Sequence, residues 1–294
     1  MLDLIHAYED YLVREKHASS NTVSSYMRDI RQFVDWLRRK EESILDVAST
    51  DVSDYLSEIQ SQGKSGATAS RSLASLKNFF MYAASIGAMA NPLALDEIHI
   101  DRGAKRLPQV LTNQEVELLL SQPDCADSKG CRDKAMMELL YATGMRVSEL
   151  IDLDVNDVDL ELATVKCGSG KNGRVVPAYP AASEALADYL RKSRPVLVGI
   201  QEQAALFVNV SGTRMSRQGF WKILKYYQVR AGIEKEITPH TLRHSFAVHL
   251  LENGADLGVL QELMGHSDIS STQKYTQMVS QKIQSVYRKC HPKA

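Results

Sequence analysis

The sequence predicts a mainly α-helical protein with a small antiparallel sheet, divided into two domains. The chain has 294 residues, more than one average domain needs. Apolar residues recur at steps of three and four through the first hundred residues, whereas apolar and polar residues alternate in short segments between residues 151 and 177. We therefore predict a helical bundle over residues 1–96, a linker over 97–107, and a mixed α+β domain over 108–294 that ends in a tail helix.

The composition is that of an ordinary globular protein, with 44% hydrophobic and 24% charged residues. No apolar stretch approaches the roughly 18 residues of a membrane span, and the acidic, amphipathic start does not resemble a signal peptide. The four cysteines form neither a CxxC pair nor a dense disulfide pattern. A reduced, cytoplasmic protein without membrane contact is therefore expected.

Four helices are predicted in the first domain from the apolar face that each would present to a core. Ser19, Ser20 and Asn21 are candidate N-caps of the second helix, and the Asn91-Pro92 pair is expected to end the fourth. The predicted helical segments lie around Leu4–Leu12, Asn21–Leu37, Thr50–Ile59 and Thr68–Ala84.

The second domain begins with helices and then changes to strands. Thr112 and Glu115 fit a capping box, and a helix over Cys131–Thr143 is closed by Gly144. The Asn172-Gly173 pair is a strong signal for a hairpin turn. The predicted strands are Ile151–Val155, Val158–Leu162, Thr164–Cys167, Arg174–Pro177 and a short one at Ala205–Val208.

Two segments resemble metal sites, one for calcium and one for zinc, but neither pattern is complete. The acidic run between Asp152 and Asp159 lacks the glycine and the glutamate of an EF-hand loop, and its interleaved apolar residues suit a strand edge. His240 and His244 have the spacing of a helical zinc site. However, Thr241 occupies the position of the metalloprotease glutamate, and Arg243 would place a permanent cation beside the metal.

The same histidine-containing segment suits an anion better. His240 and Arg243 lie three residues apart on one helical face and can both face a single phosphate, although a capped helix with a surface arginine would look similar. The sequence contains no nucleophile elbow, P-loop or dinucleotide fingerprint. Further candidates follow in a fixed order: Arg146 after a glycine-ended helix, Lys171 on a Gly-rich hairpin, His266 at a glycine turn, and Tyr275 nine residues later.

This order of Arg, Lys, HxxR, GH and Tyr resembles the tyrosine recombinase (phage integrase) family over nearly the whole chain. It is most similar to the bacterial Xer recombinases. The matching catalytic segments are RLPQVLTNQEVELLL, YATGMRVSEL, TPHTLRHSFAVHLLENGADL and LMGHSDISSTQKYT. A looser N-terminal likeness lies in Ser20-Asn21-Thr22-Val23 and Tyr26-Met27-Arg28-Asp29. The resemblance implies a SAM-like, core-binding helical bundle followed by the family's α+β catalytic domain.

The resemblance also implies the reaction, in which DNA strands are cut and rejoined at a specific site. Tyr275 would attack the scissile phosphate and form a 3′-phosphotyrosine. Arg146 and Arg243 would bind the non-bridging oxygens and stabilise the charge of the transition state. Neither a cofactor nor a metal is implied, because one phosphate ester replaces another. The implied catalytic set is Arg146, Lys171, His240, Arg243, His266 and Tyr275.

The remaining roles concern proton transfer. Lys171 would protonate the 5′-oxygen leaving group, His240 would assist proton transfer at the tyrosine, and His266 would hydrogen-bond the phosphate. One position departs from the family pattern, since Ser169 stands where the hairpin lysine of Xer proteins usually follows the first glycine. A shorter hairpin favours Lys171 as the catalytic lysine, with Lys166 on the preceding strand as the alternative.

DNA binding has to be reconciled with a net charge of −1. The family wraps DNA between its two domains, which implies basic residues concentrated on the inner face. Each candidate taken singly is more often a plain solvated charge. The candidates are Arg28, Arg31, Lys64, Arg71 and Lys77 in the first domain and Lys222 and Lys225 in the second.

The implied partner is a double-stranded DNA recombination site, bound by a homo- or hetero-tetramer that holds two sites. The tail from Gln281 to Ala294 either packs on its own domain or docks into a neighbouring protomer. Chromosome-dimer resolution is the favoured role, because the chain begins directly with the core-binding bundle. A simple mobile-element integrase, a catalytically silenced DNA-binding relative and a type IB-like topoisomerase are the alternatives. A second Xer recombinase and an FtsK-like translocase are candidate partners.

Overall fold

The computed structural model describes residues 2–101, 108–168 and 173–265, together with Thr272 and Tyr275. Lys171, His266, the turn at Asn172 and the tail from Gln281 lie outside the described residues, as does most of the predicted linker. The chain divides into two compact units, residues 1–106 and 107–294. Within the described residues, no helix combines the length and the apolarity that a membrane crossing requires.

The first unit is a four-helix bundle. The N-caps of its second and fourth helices are Ser19 and Ser65, whose hydroxyl oxygens accept from the backbone N–H groups of Thr22 and Thr68, each at 3.2 Å. The helices are α1 (Leu2–Arg14), α2 (Ser20–Arg39), α3 (Ser49–Ser61) and α4 (Gly66–Ser85).

The predicted end of α4 at Asn91-Pro92 is wrong, because the helix ends six residues earlier at Ser85. Gly87 has a φ of 72°, and its N–H donates to the carbonyl of Ala84 at 3.0 Å. This left-handed glycine stops the helix locally before the restriction imposed by proline can act.

Aromatic rings fill the core of the first unit. The ring of Phe33 meets those of Tyr55 and Phe80 edge to face, at centroid distances of 5.1 and 6.3 Å. Such rings bury large apolar areas, and this geometry adds quadrupole attraction. The three residues come from α2, α3 and α4, so this contact joins three of the four helices.

A buried carboxylate ties α2 to α4. The side chain of Asp29 is only 1% exposed and accepts two hydrogen bonds from Arg71, at 3.0 and 2.8 Å. The hydroxyl of Ser75 donates a third at 2.9 Å. A buried carboxylate is stable only when its oxygens are satisfied in this way. The aspartate of the N-terminal YMRD segment is therefore a structural residue.

The second unit surrounds a three-stranded antiparallel sheet with helices, as the predicted fold class requires. The strands β1 (Val158–Asp159), β2 (Thr164–Cys167) and β3 (Arg174–Pro177) lie in that order, and Cys167 pairs with Arg174 at the hairpin end. The helices are α5 (Asn113–Leu120), α6 (Ser128–Thr143), α7 (Val147–Asp152), α8 (Pro180–Asp188), α9 (Arg194–Val198), α10 (Arg217–Arg230), α11 (Pro239–Glu252) and α12 (Leu257–Met264). A π-helical turn, Tyr189–Ser193, joins α8 to α9.

Three predicted strands differ in the structure. Ile151–Val155 crosses the end of α7 and the start of a 3₁₀ turn at Val155–Asp157, so its alternation reflects a helix end whose apolar residues enter the core. Ala205–Val208 bends at its two middle residues and, within the described residues, forms only isolated bridges at its two ends, from Ala205 to Asp154 and from Val208 to Arg214. The strand predicted over Val158–Leu162 shortens to the two residues of β1.

Helix α6 lies in the second core and is buried along most of its length. Such a helix must pair its polar side chains internally. Arg132 and Asp133 are joined at 2.7 Å, and Asp133 also accepts from the hydroxyl of Tyr227 at 3.1 Å. Glu138 pairs with Lys134 at 2.8 Å.

The buried Asp29 cluster predicts the effect of one substitution on the first unit. Asp29→Ala removes three hydrogen bonds, while the half-exposed Arg71 can return to water, so we expect a loss of about 2 kcal/mol in the free energy of unfolding. Trp36, buried on α2, reports unfolding of this unit by fluorescence in a Trp221→Phe background during urea denaturation.

The matched control is Asp35→Ala on the same helix. It breaks only the exposed ion pair with Arg38 and should cost less than about 0.5 kcal/mol. Equal losses in the two variants would contradict the structural role of Asp29.

Candidate active site

The site begins where α6 ends. Gly144 has a φ of 56° and closes α6, and a Cβ added there would overlap the ring of Phe246. Both the backbone conformation and the close packing therefore require glycine. Two residues later, Arg146 is the N-cap residue of α7, and its side chain is 42% exposed. The helix-ending glycine thus directs the chain so that this arginine starts the next helix at the surface.

A second arginine comes from α11. Thr238 caps this helix by accepting from the backbone N–H of Thr241 at 3.2 Å, and Pro239 occupies its first turn. One turn further, Arg243 is buried and donates to the carbonyl of Gly144 and, at 2.8 Å, to that of Met264. The two predicted arginines therefore meet at the Gly144 turn.

The C-terminal end of α12 receives three arginines on three successive carbonyl groups. Arg174 Nε donates to Leu263 at 2.6 Å, Arg243 to Met264 at 2.8 Å, and Arg146 to Gly265 at 2.9 Å. The last carbonyls of a helix have no partner within the helix and carry its negative dipole end, so cations are favoured there. This helix end consequently gathers residues from β3, α11 and α7.

One carboxylate holds two of these arginines. Glu149 Oε1 lies 3.2 Å from Arg146 and 2.8 Å from Arg174, and its Oε2 lies 3.1 Å from Arg174. Oε2 also accepts from the backbone N–H of Arg146 at 2.6 Å, which is the carboxylate half of a capping box. Burial would raise the pKa of Glu149, but the hydrogen bonds from Arg174 and from the Arg146 backbone bring it below its ordinary value.

The cluster is electropositive, because three guanidinium groups share a single carboxylate. Burial, reinforced by the neighbouring charge of Arg146, lowers the pKa of Arg243 to about 10. The more exposed guanidinium of Arg146 is the part that an incoming group can reach. The arrangement is suited to an oxyanion that accepts from planar donors.

Tyr275 lies beside this cluster with only 1% of its surface exposed. Its Oη is 2.7 Å from Nδ1 of His244, and the two rings are 5.5 Å apart. Burial raises the pKa of the tyrosine to about 12, although the positive charge of Arg243 opposes that shift. The phenol is therefore neutral near pH 7 and needs a group that accepts its proton.

Two of the sequence-predicted residues have defined positions outside this cluster. His240 is exposed on the first turn of α11, and its ring lies 6.2 Å from that of His244. Lys166 points to the exposed face of β2 and lines a groove with Glu149 and Asp152. Lys171 and His266 lie outside the described residues, three positions before Arg174 and one after Gly265.

The basic residues predicted to bind DNA fall into two groups. Arg28, Lys64 and Lys222 are exposed. The others have intramolecular partners: Arg31 lies 3.5 Å from Glu9, Arg71 binds Asp29, Lys77 lies 2.9 Å from Asp96, and Lys225 lies 3.6 Å from Glu236. Among the described residues, no group of three or more histidine, cysteine or acidic side chains could hold a metal ion.

Sequence reasoning missed three residues of this site. Glu149 stands three positions after Arg146, a capping-box spacing that could have been recognised. His244 was weighed only as a zinc ligand, although it follows Arg243 directly. Arg174 gave no local signal, since its partners lie 25 and 89 residues away.

Two family models match the chain. The phage integrase family matches residues 109–282, and the N-terminal SAM-like domain of phage integrases matches residues 5–87. The first match covers more than half of the chain and contains every candidate of the catalytic set.

Similar proteins extend the match to the full length. The chain is 41% identical to tyrosine recombinase XerD of Staphylococcus epidermidis over 100% of both chains. It is 42% identical to the protein of the same name from Listeria monocytogenes, again over 100% of both.

Solved structures share the fold at lower identity. A post-cleavage complex of the XerH site-specific recombinase with palindromic difH substrate matches with a TM-score of 0.77 and 24% identity, over 92% of this chain and 80% of that one. A lambda integrase dimer bound to a COC′ core site matches with a TM-score of 0.71 and 18% identity, over 94% of both chains. The family predicted from the motifs is thereby confirmed, and the chain belongs to the phage integrase family, the tyrosine recombinases.

Proposed function

We propose that this protein is a site-specific recombinase of the Xer type that cuts and rejoins DNA through a 3′-phosphotyrosyl intermediate on Tyr275. The observation that carries the proposal is the position of this phenol. Its hydroxyl contacts His244, the residue next to Arg243, and Arg243 belongs to a cluster of three arginines that suits a phosphate. A nucleophile, a proton acceptor and an anion site thus lie on neighbouring elements.

In the first step Oη of Tyr275 forms a bond to the scissile phosphorus, and the bond from phosphorus to the 5′-oxygen breaks. The phenolic proton passes to His244, and we assign protonation of the leaving 5′-oxygen to Lys171. In the second step the 5′-hydroxyl of a partner strand attacks the phosphotyrosine, and the bond from phosphorus to Oη breaks. The hydroxyl proton returns to Lys171, and His244 returns its proton to Tyr275. Each step exchanges one phosphate ester for another.

The arginines act on the negative charge that develops on the non-bridging oxygens in the transition state of each step. The exposed guanidinium of Arg146 is the first to meet a non-bridging oxygen, and Arg243 supports it from the buried side. Donors that are already held in place stabilise a transition state without the cost of reorganisation. We assign His266, directly after Gly265, to the same phosphate, and we keep His240 as the alternative proton acceptor.

The Xer role is supported by the full-length identity to proteins named XerD. We propose chromosome-dimer resolution in the cytoplasm, on a double-stranded site held by a tetramer of one or two kinds of recombinase subunit. A second Xer recombinase and an FtsK-like translocase are the candidate partners. The relatives do not favour a mobile-element integrase, and the assembled arginine cluster argues against a silenced relative. Supercoil relaxation without strand exchange would indicate a topoisomerase.

We assign the helical domain, residues 1–96, to core-site binding, and residues 108–294 to catalysis. Among the seven predicted DNA-binding cations, the exposed Arg28, Lys64 and Lys222 are the strongest candidates. Arg71 is a weaker candidate, because its guanidinium is already bidentate on Asp29.

Tyr275→Phe tests the nucleophile. On a nicked suicide duplex carrying a Xer-type site, the wild type should form a covalent protein–DNA adduct visible on a denaturing gel. The variant should form none and should bind the duplex with unchanged affinity, because only the attacking oxygen is lost. Tyr226→Phe, on the exposed face of α10, is the matched control and should cleave normally. Adduct formation by Tyr275→Phe would exclude Tyr275 as the nucleophile.

His244→Ala tests the proton acceptor. We expect adduct formation about 100-fold slower at pH 7, because the phenol, with a pKa of about 12, loses its acceptor. The phenolate fraction of a group with this raised pKa grows with pH well beyond pH 9. The rate of the variant should therefore rise steeply between pH 7 and 9 and approach the wild-type rate.

His240→Ala separates the two histidines in the same experiment. A pH-dependent defect in His240→Ala together with a normal rate in His244→Ala would transfer the role to His240. A faster His244→Ala variant would show that this contact restrains the tyrosine instead of activating it.

A further inference from the structure

Arg174 is a buried, charged residue that takes no part in the proposed chemical steps. It is the first residue of β3, and its side chain is 10% exposed, so it is screened from an incoming phosphate. Yet its described hydrogen bonds all lead into the active site. Two go to Glu149, at 2.8 and 3.1 Å, and one goes to the carbonyl of Leu263 at 2.6 Å.

The two hydrogen bonds from Arg174 to Glu149 also affect Arg146, because Glu149 binds both arginines. The guanidinium of Arg146 is half exposed and depends on Glu149 Oε1 for one of its two described anchors. Because a carboxylate on a flexible side chain would otherwise sample several rotamers, the fork of Arg174 fixes Glu149, and Glu149 in turn orients Arg146. Arg174 thereby sets the direction in which the exposed arginine points.

The hydrogen bond from Arg174 to the carbonyl of Leu263 holds the turn at the end of α12. Gly265 has a φ of 61°, and a Cβ added there would lie 2.7 Å from NH1 of Arg174. The guanidinium therefore packs directly against the turn whose carbonyl, at Gly265, is the other anchor of Arg146. Both anchors of Arg146 are in contact with the same buried side chain.

We propose that Arg174 is a positioning residue for strand cleavage, which aligns Arg146 with the scissile phosphate by holding both Glu149 and the Leu263–Gly265 turn. This inference rests on the proposed function. It assigns Arg174 no contact with DNA and no proton transfer. Its effect is confined to the step in which Arg146 neutralises charge on a non-bridging oxygen.

A purely structural role makes a different prediction. If Arg174 only stabilised the hairpin and the fold, its loss would impair cleavage of every substrate alike. If it aligns Arg146, its loss should matter only where the phosphate carries the charge that Arg146 neutralises. Replacing one non-bridging oxygen by a methyl group removes that charge and leaves the leaving group unchanged.

The experiment measures single-turnover adduct formation on the nicked Xer-type duplex, with either the natural phosphate or a methylphosphonate at the scissile position. Arg174→Met should slow cleavage of the phosphate substrate about 100-fold, the effect typical of a misplaced catalytic group. On the methylphosphonate substrate, the rate of Arg174→Met should lie within about threefold of the wild-type rate. The rate of Arg146→Ala should do the same, because this substrate carries no charge for Arg146 to neutralise. Affinity for the duplex should stay unchanged.

Two further variants control for folding. Arg194→Met removes a partly buried arginine whose hydrogen bonds within the described residues go to carbonyl groups of the Gln203–Leu206 loop, and it should cleave both substrates normally. Arg174→Lys keeps the charge but cannot reach both sides of the site, so we expect a defect of about tenfold that also disappears on methylphosphonate. The lysine variant keeps the test valid if Arg174→Met fails to fold.

The outcomes separate this inference from the proposed function. Equal defects on the two substrates, or a normal rate of Arg174→Met and Arg174→Lys on the phosphate, would overturn the positioning role while leaving the recombinase intact. A wild-type protein that forms no adduct would overturn the proposed function and this inference with it.

Discussion

The last turn of α12 is the feature on which the candidate site of the second unit depends. A helix must end with carbonyl groups that have no partner within the helix, and here three successive ones each accept from a different arginine. These arginines come from β3, α11 and α7, so the sheet and two helices converge on one point. The same contacts hold the turn that precedes His266. Backbone carbonyls that need hydrogen-bond donors thus bring three cations together at one point of the structure.

Gathering three cations has an electrostatic cost that the site only partly offsets. Glu149 compensates Arg146 and Arg174, whereas Arg243 is buried with backbone carbonyls as its described acceptors and has a lowered pKa. A protein with a net charge of −1 can therefore hold a strongly positive site.

Much of the fold could be predicted because its signals are local. The apolar faces of α2 and α4, the Thr112 capping box and the glycine ends of helices act within a few residues. The strand predicted at Ile151–Val155 was wrong, because alternation of buried and exposed residues also arises where a short helix runs into a 3₁₀ turn. Of the site, the motifs indicated Arg146, Arg243 and Tyr275, and the structure brings them together. They could not indicate Arg174, whose contacts depend on tertiary packing across up to 89 residues.

The most direct test of the whole account is to locate the covalent bond itself. Wild-type protein trapped on a nicked Xer-type duplex would be digested with nuclease and protease, and the modified peptide would be identified by mass spectrometry. The account predicts a nucleotide linked through its 3′-phosphate to the side chain of Tyr275. A nucleotide attached to any other residue, or attached through a 5′-phosphate, would contradict it.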